Sequence, residues 1–102
     1  MRLGGRDEAG AVAEAVARNS YGKLVAYLAA RTGDVAAAED ALADAFTCAL
    51  GYWPASGIPD MPEAWLMTVA RRRLIDAARR RRHADAAADD LRLLTEIGRA
   101  HV

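Results

Sequence analysis

Apolar residues recur every three or four positions along this chain and nowhere alternate strictly with polar ones. The pattern therefore predicts helices and no sheet. Ala9, Val12, Ala13, Val16, Ala17, Leu24, Tyr27 and Leu28 keep this spacing from Asp7 to Arg31, predicting a first helix with a kink at Gly22 and a stop at Thr32-Gly33. Asp34 is a suitable N-cap for a second helix ending near Tyr52, with Val35, Ala38, Leu42, Ala45, Phe46, Ala49 and Trp53 as its core stripe. Asp40 and Asp44 fall together on its opposite side, and Glu39 lies nearer the stripe's edge. Pro54 to Met61 has Pro, Gly and Ser without periodicity, and its hydrophobic Ile58 and Met61 predict an ordered loop.

Pro62 suits the first turn of a third helix, and Glu63 suits its positive end. This helix should run to about Arg82. Leu66, Met67, Ala70, Leu74, Ala77 and Ala78 form its buried face; Trp65, Val69, Arg72, Asp76, Arg79 and Arg80 form the other, with Arg73 at the margin. A weaker helix over Asp85 to Ile97 has Leu91, Leu94 and Ile97 in phase and needs a neighbour to pack on. Together these segments predict an all-α fold: a compact antiparallel helical domain of three main helices plus a weaker C-terminal linker helix.

At 102 residues the chain allows one domain, and 53% hydrophobic with 27% charged residues supports a packed core. The uncharged run Ala45–Pro59 contains Gly51, Pro54, Ser56, Gly57 and Pro59, so it is no membrane span. No basic start leads into an apolar stretch as in a secretory signal. A single cysteine, Cys48, excludes an internal disulfide and a Cys-rich zinc site, and His83 and His101 lack ligand spacing. The expectation is a cytoplasmic protein without metal or cofactor.

The zero net charge conceals an asymmetry. Residues 1–70 hold five Lys/Arg against nine acids, residues 71–83 seven arginines against one aspartate, and residues 84–102 two arginines against four acids. A local excess of this size on a neutral domain points to a polyanion. Arg71-Arg72-Arg73 and Arg79 to Arg82 lie two turns apart, about 10–13 Å along a helix, a spacing that suits successive phosphates. Trp65, about two turns upstream, could stack on an unpaired base or equally belong to the core. Enzyme chemistry is hard to find. Ser20 and Ser56 have no evident partners, Asp40 and Asp44 read first as a solvated face, and Gly4-Gly5 lies in a terminal tail with no phosphate-loop pattern after it.

These residues carry a family resemblance. Ala38-Glu39-Asp40-Ala41-Leu42-Ala43-Asp44-Ala45-Phe46, followed by Trp53, resembles region 2.2 of bacterial RNA polymerase sigma factors. Pro62 through Arg80, with Trp65-Leu66, Ala70-Arg71, Ile75-Asp76 and Arg79 in register, resembles regions 2.3 and 2.4. The spacing and the single short loop are most similar to the extracytoplasmic function (ECF) group, over about residues 12 to 83.

The resemblance implies a sigma-70 region 2 domain that docks on core RNA polymerase and recognises and melts the promoter −10 element. The β′ clamp helices of polymerase would meet Glu39, Asp40, Ala43 and Asp44; the family's Gln-Glu pair is here Ala43-Asp44, which loses a hydrogen-bonding side chain and shortens a carboxylate. A flipped base would enter the loop carrying Trp53, Gly57, Ile58, Asp60 and Met61. Trp65, Arg71, Arg72, Arg73, Arg79 and Arg80 would hold the non-template single strand. Residues 1–83 would be the domain and residues 84–102 a linker helix toward a region 4 beyond Val102, making the chain a fragment of a longer protein. An anti-sigma factor or a regulatory C-terminal domain is a further partner the resemblance admits. Two rival readings stand beside it: a helix-turn-helix type regulator of duplex DNA, and a sigma-like helical protein-interaction module.

Overall fold

A computed structural model describes residues 4–100 and folds them into three helices: α1 (Gly4–Thr32), α2 (Val35–Ser56) and α3 (Pro62–Ala100). There is no strand among the described residues, and the architecture is the all-α one expected. His101 lies outside the described residues.

The first corner follows from three adjacent residues. Gly33 takes φ 71°, a conformation that favours glycine, and its N–H reaches the Ala29 carbonyl at 2.7 Å. The Thr32 hydroxyl donates to the Leu28 carbonyl at 3.2 Å and accepts from the Asp34 N–H at 3.1 Å. Asp34, in extended backbone, then caps α2 by accepting from the Ala37 N–H at 3.0 Å. So short a corner forces α1 and α2 antiparallel, and Tyr21 meets Phe46 across them at 6.4 Å between ring centroids. At the other end Gly57, at φ 95°, donates its N–H to the Trp53 carbonyl at 2.8 Å. The chain then turns into α3, which runs antiparallel to α2 and alongside α1.

The core is built largely of alanine. Ala9, Ala13, Ala38, Ala41, Ala45, Ala49 and Ala70 are buried with Leu24, Leu28, Leu42, Leu66 and Trp53. Such small residues bring the helices close, and four large side chains fill the space that remains: Trp53, Leu28, Leu42 and Leu66. Ser20, also buried, donates its hydroxyl to the Glu63 carboxylate and ties the middle of α1 to the start of α3.

Several sequence expectations need correction. Gly4 and Gly5 belong to the first turn of α1, not to a tail, and helix continues through Gly22. The α2 helix passes through Pro54 to Ser56, although Pro54 has no N–H to donate to the Leu50 carbonyl. Val35 is 58% exposed, since it sits in the first turn at the corner, and Tyr27 is exposed with the Arg31 guanidinium 4.8 Å above its ring. Phe46 is half-buried at the edge of the α1–α2 contact.

The largest difference lies at the C-terminal end. No separate fourth helix exists, because nothing between Arg82 and Asp85 breaks a helix and α3 continues to Ala100. At 39 residues it is about 58 Å long, and every residue from Arg79 to Gly98 is exposed. The molecule therefore measures 74 × 32 × 16 Å, with a radius of gyration of 19.8 Å against about 13 Å for a globule of this length.

Candidate functional site

Three aromatic rings meet where the end of α2 faces the start of α3. Trp65 packs edge-on against Trp53 at 5.3 Å and stacks on Tyr52 at 6.2 Å with 20° between the planes. Trp53 is buried, Trp65 is half-buried and Tyr52 is 59% exposed. The three form a graded stack from core to solvent. Beside it runs a groove lined by Cys48, Gly51 and Tyr52 of α2 and Trp65, Thr68, Val69 and Arg72 of α3. Its lining can stack a planar group, and Arg72 can meet an anion at its edge.

The arginines of α3 from Arg71 to Arg92 are all exposed, but they do not share one face. Arg72 borders the aromatic groove, and Arg79 and Arg80 continue that side about two turns on, around a second depression with Asp76 and His83. Arg71 points to α1, where it lines grooves with Lys23, Tyr27 and Leu28. Arg73 points to α2, where its Nη2 donates to Cys48 Sγ at 3.3 Å. The hydrogen bond to Cys48, and to a smaller extent Asp44 and Asp76, hold the Arg73 guanidinium above its ordinary range. Asp76 forms no ion pair within 4 Å with Arg72 or Arg80, although a spacing of four invites one. In water an exposed pair of this kind gains too little to fix two side chains.

The remaining predicted positions divide between α2 and the loop. Glu39, Asp40, Ala43 and Asp44 are all exposed, on the part of α2 away from Ala38, Leu42 and Ala45. The loop is shorter than predicted, from Gly57 to Met61. Asp60 and Met61 are exposed and Ile58 packs on the core. Trp53 is not part of this loop. It is a helical residue, 1% exposed, so its ring is closed to an incoming base, and its indole Nε1 has no hydrogen-bond partner.

Tyr52 is the residue that the sequence reading did not single out. Its position off the core stripe and next to Trp53 was the available signal. Ser20 and Ser56 do have partners: Glu63 for the first, and for the second the Tyr52 carbonyl at 2.9 Å. Among the described residues no three His, Cys, Asp or Glu side chains are grouped to hold a metal ion, and no helix is long and apolar enough to cross a membrane.

Comparison with known protein families matches residues 17–84, more than half of the chain, to sigma-70 region 2. No curated protein and no solved structure matches the chain.

Proposed function

This chain belongs to the sigma-70 region 2 family, whose role is RNA polymerase binding and promoter recognition in transcription initiation, and we propose that it acts as region 2 of a bacterial ECF-group sigma factor. The family is one of initiation factors, not enzymes. In this reading the exposed side of α2, with Glu39, Asp40, Ala43 and Asp44, docks on the β′ clamp helices of core polymerase in the cytoplasm. The groove between α2 and α3 faces the −10 element. Trp65 and Tyr52 offer stacking surface to unpaired bases of the non-template strand. Arg72, Arg79 and Arg80 meet its phosphates; Arg71 and Arg73 flank the path on either side of α3. A flipped base enters at Gly57, Ile58, Asp60 and Met61, and its capture offsets an unpairing cost of about a few kcal/mol. Residues 1–83 carry the domain in this reading, and the chain after them, which includes the far end of the continuous α3, serves as the linker. An anti-sigma factor or regulatory C-terminal domain is a further partner that this reading admits.

The observation that carries the proposal is the graded stack of Trp53, Trp65 and Tyr52 beside Arg72: a buried ring anchors two accessible ones next to a cation. A helix-turn-helix reader needs a helix that enters a duplex groove, whereas here the aromatic surface lies in a cleft between two helices. The test is binding of a −10 non-template oligonucleotide and of its duplex by the chain assembled with core polymerase. Preference for the single strand, reduced by Tyr52→Ala and by Arg72→Ala, is the expected result. Preference for duplex, or indifference to both substitutions, rejects the proposal.

A further inference from the structure

A second groove runs between the end of α1 and the middle of α3. Its floor is aliphatic: Leu28 is fully buried, Leu74 and Ala78 are half-buried, and Ile75 is 52% exposed. It encloses about 450 Å³, within the range of clefts that hold ligands. At about 100° per residue, Ala78 and Arg72 lie about 120° to either side of the buried Leu66. This groove and the aromatic one therefore occupy different flanks of α3.

The rim is cationic. Arg31 comes from α1 and Arg71 and Arg81 from α3, and all three are exposed. Among the described residues none of them has an ion-pair partner within 4 Å. The one carboxylate in the lining, Asp34, is engaged as the cap of α2, accepting from the Ala37 N–H. A further depression shares Arg71, carries the groove back toward Ala64 and adds Lys23 as a fourth cation.

Charge alone would suit any polyanion, and the floor narrows the choice. A phosphodiester backbone covers no aliphatic side chain, and the groove over Leu74 and Ile75 has no aromatic ring on which a base would stack. Tyr27, in the continuation, already carries the Arg31 guanidinium 4.8 Å above its ring. The occupant must therefore combine carboxylates with an apolar surface. Its shape follows from α3, which presents Arg71, Leu74, Ile75, Ala78 and Arg81 at i, i+3, i+4, i+7 and i+10, a ridge on one side of a helix. A trough between two helices with such a wall accepts a third helix, ridge into groove.

We propose that this groove seats an acidic amphipathic helix of a partner protein. The apolar stripe of that helix covers Leu74, Ile75 and Ala78, and carboxylates flanking the stripe meet Arg31, Arg71 and Arg81. Arg71 and Arg81 are about 15 Å apart along α3, so a partner helix of about three turns reaches both. The site does not rest on the promoter reading, and a helix seated here leaves Trp65, Tyr52 and Arg72 open.

The test titrates the whole chain into a labelled helical peptide with leucines along one side and glutamates flanking them, read by fluorescence anisotropy. The acidic peptide should bind, and more weakly as salt rises from about 0.05 M to about 0.5 M. Its counterpart with lysine for every glutamate should not bind. Arg71→Glu with Arg81→Glu should weaken binding about tenfold or more, and Ile75→Asp should weaken it also. Arg72→Glu with Arg80→Glu makes the same change of net charge on the other flank and should cost about twofold at most. Circular dichroism checks that each variant keeps its helicity. An unlabelled single-stranded oligonucleotide should leave the bound peptide in place. No binding of the acidic peptide at about 1 mM overturns the proposal. So does equal binding of the lysine peptide, an equal loss in the two arginine double variants, or displacement by the oligonucleotide, which would make the groove a general polyanion site.

Discussion

Tyr52 and Trp65 are neighbours in the same stack but bear different structural loads. Tyr52 is exposed, so Tyr52→Ala should change stability by no more than about 0.5 kcal/mol. If a base stacks on it, the same change should cost about 1–3 kcal/mol of single-strand affinity in the polymerase complex. Trp65 is half-buried against Trp53, so Trp65→Ala should lower both the melting temperature and the affinity. A thermal melt beside a binding titration separates the two. An equal loss of melting temperature in both variants would make the stack a strut and not a platform. At this scale the sequence left Trp65 open between core and surface, and the structure assigns it some of each. Trp53 had been placed both in the stripe and in the loop; burial decides for the stripe. Arg71 and Arg73 illustrate a limit of a different kind. One residue is about 100° of helix, so three consecutive arginines must splay toward different neighbours, and only the packing of α1 and α2 says which.

Among the elements, α2 was the most legible, because Asp34 caps it and its stripe of Ala38, Leu42, Ala45 and Ala49 is fully buried. Asp34→Ala should cost about 1 kcal/mol, read as a lowered midpoint in urea with an unchanged slope. The core predictions separate on exposure. Leu66→Ala, at a fully buried position, should cost about 2–5 kcal/mol. Phe46→Ala should cost less than the roughly 3–5 kcal/mol of a fully buried ring, because part of its ring already meets water. A Phe46→Ala loss as large as that of Leu66→Ala would mean that the α1–α2 edge is tighter than its exposure implies. Periodicity misplaced Val35 and Tyr27 for a physical reason. It reports which side of a helix is apolar, but not how far the neighbours cover it: Val35 lies in the first turn at the corner, and Tyr27 lies at the rim of the groove between α1 and α3, beside the fully buried Leu28. For the acidic side of α2, replacing Asp40 and Asp44 together by Arg should abolish polymerase capture while helicity stays intact. Unchanged capture would detach that face from polymerase.

For the whole molecule, charge distribution is the informative quantity. If three to five arginines of α3 touch phosphates, the log–log salt slope for single-strand binding in the polymerase complex should be about −2 to −3.5. Replacing Arg79 and Arg80 by Ala should reduce its magnitude by about 1.4 and weaken all sequences alike. A slope indifferent to that change would remove these residues from the contact set. The three-helix plan followed from spacing and corner residues, whereas the outline of the molecule did not. A separate linker helix was expected because the apolar pattern weakens after Arg82; yet a weak pattern means only that nothing packs there, and alanine-rich sequence remains helical without a breaker. This rod has a thermal consequence. Amides from Ala84 to Gly98 are held only by the helix's own ladder, and isolated helical stretches are marginal in water. They should exchange with deuterium by fraying, while those of Leu28, Leu42 and Leu66 wait for global opening. Heating should then erode part of the helical circular dichroism before the body melts. Both tryptophans, Trp53 and Trp65, sit in the body, so a fluorescence melt would register the second event and be blind to the first.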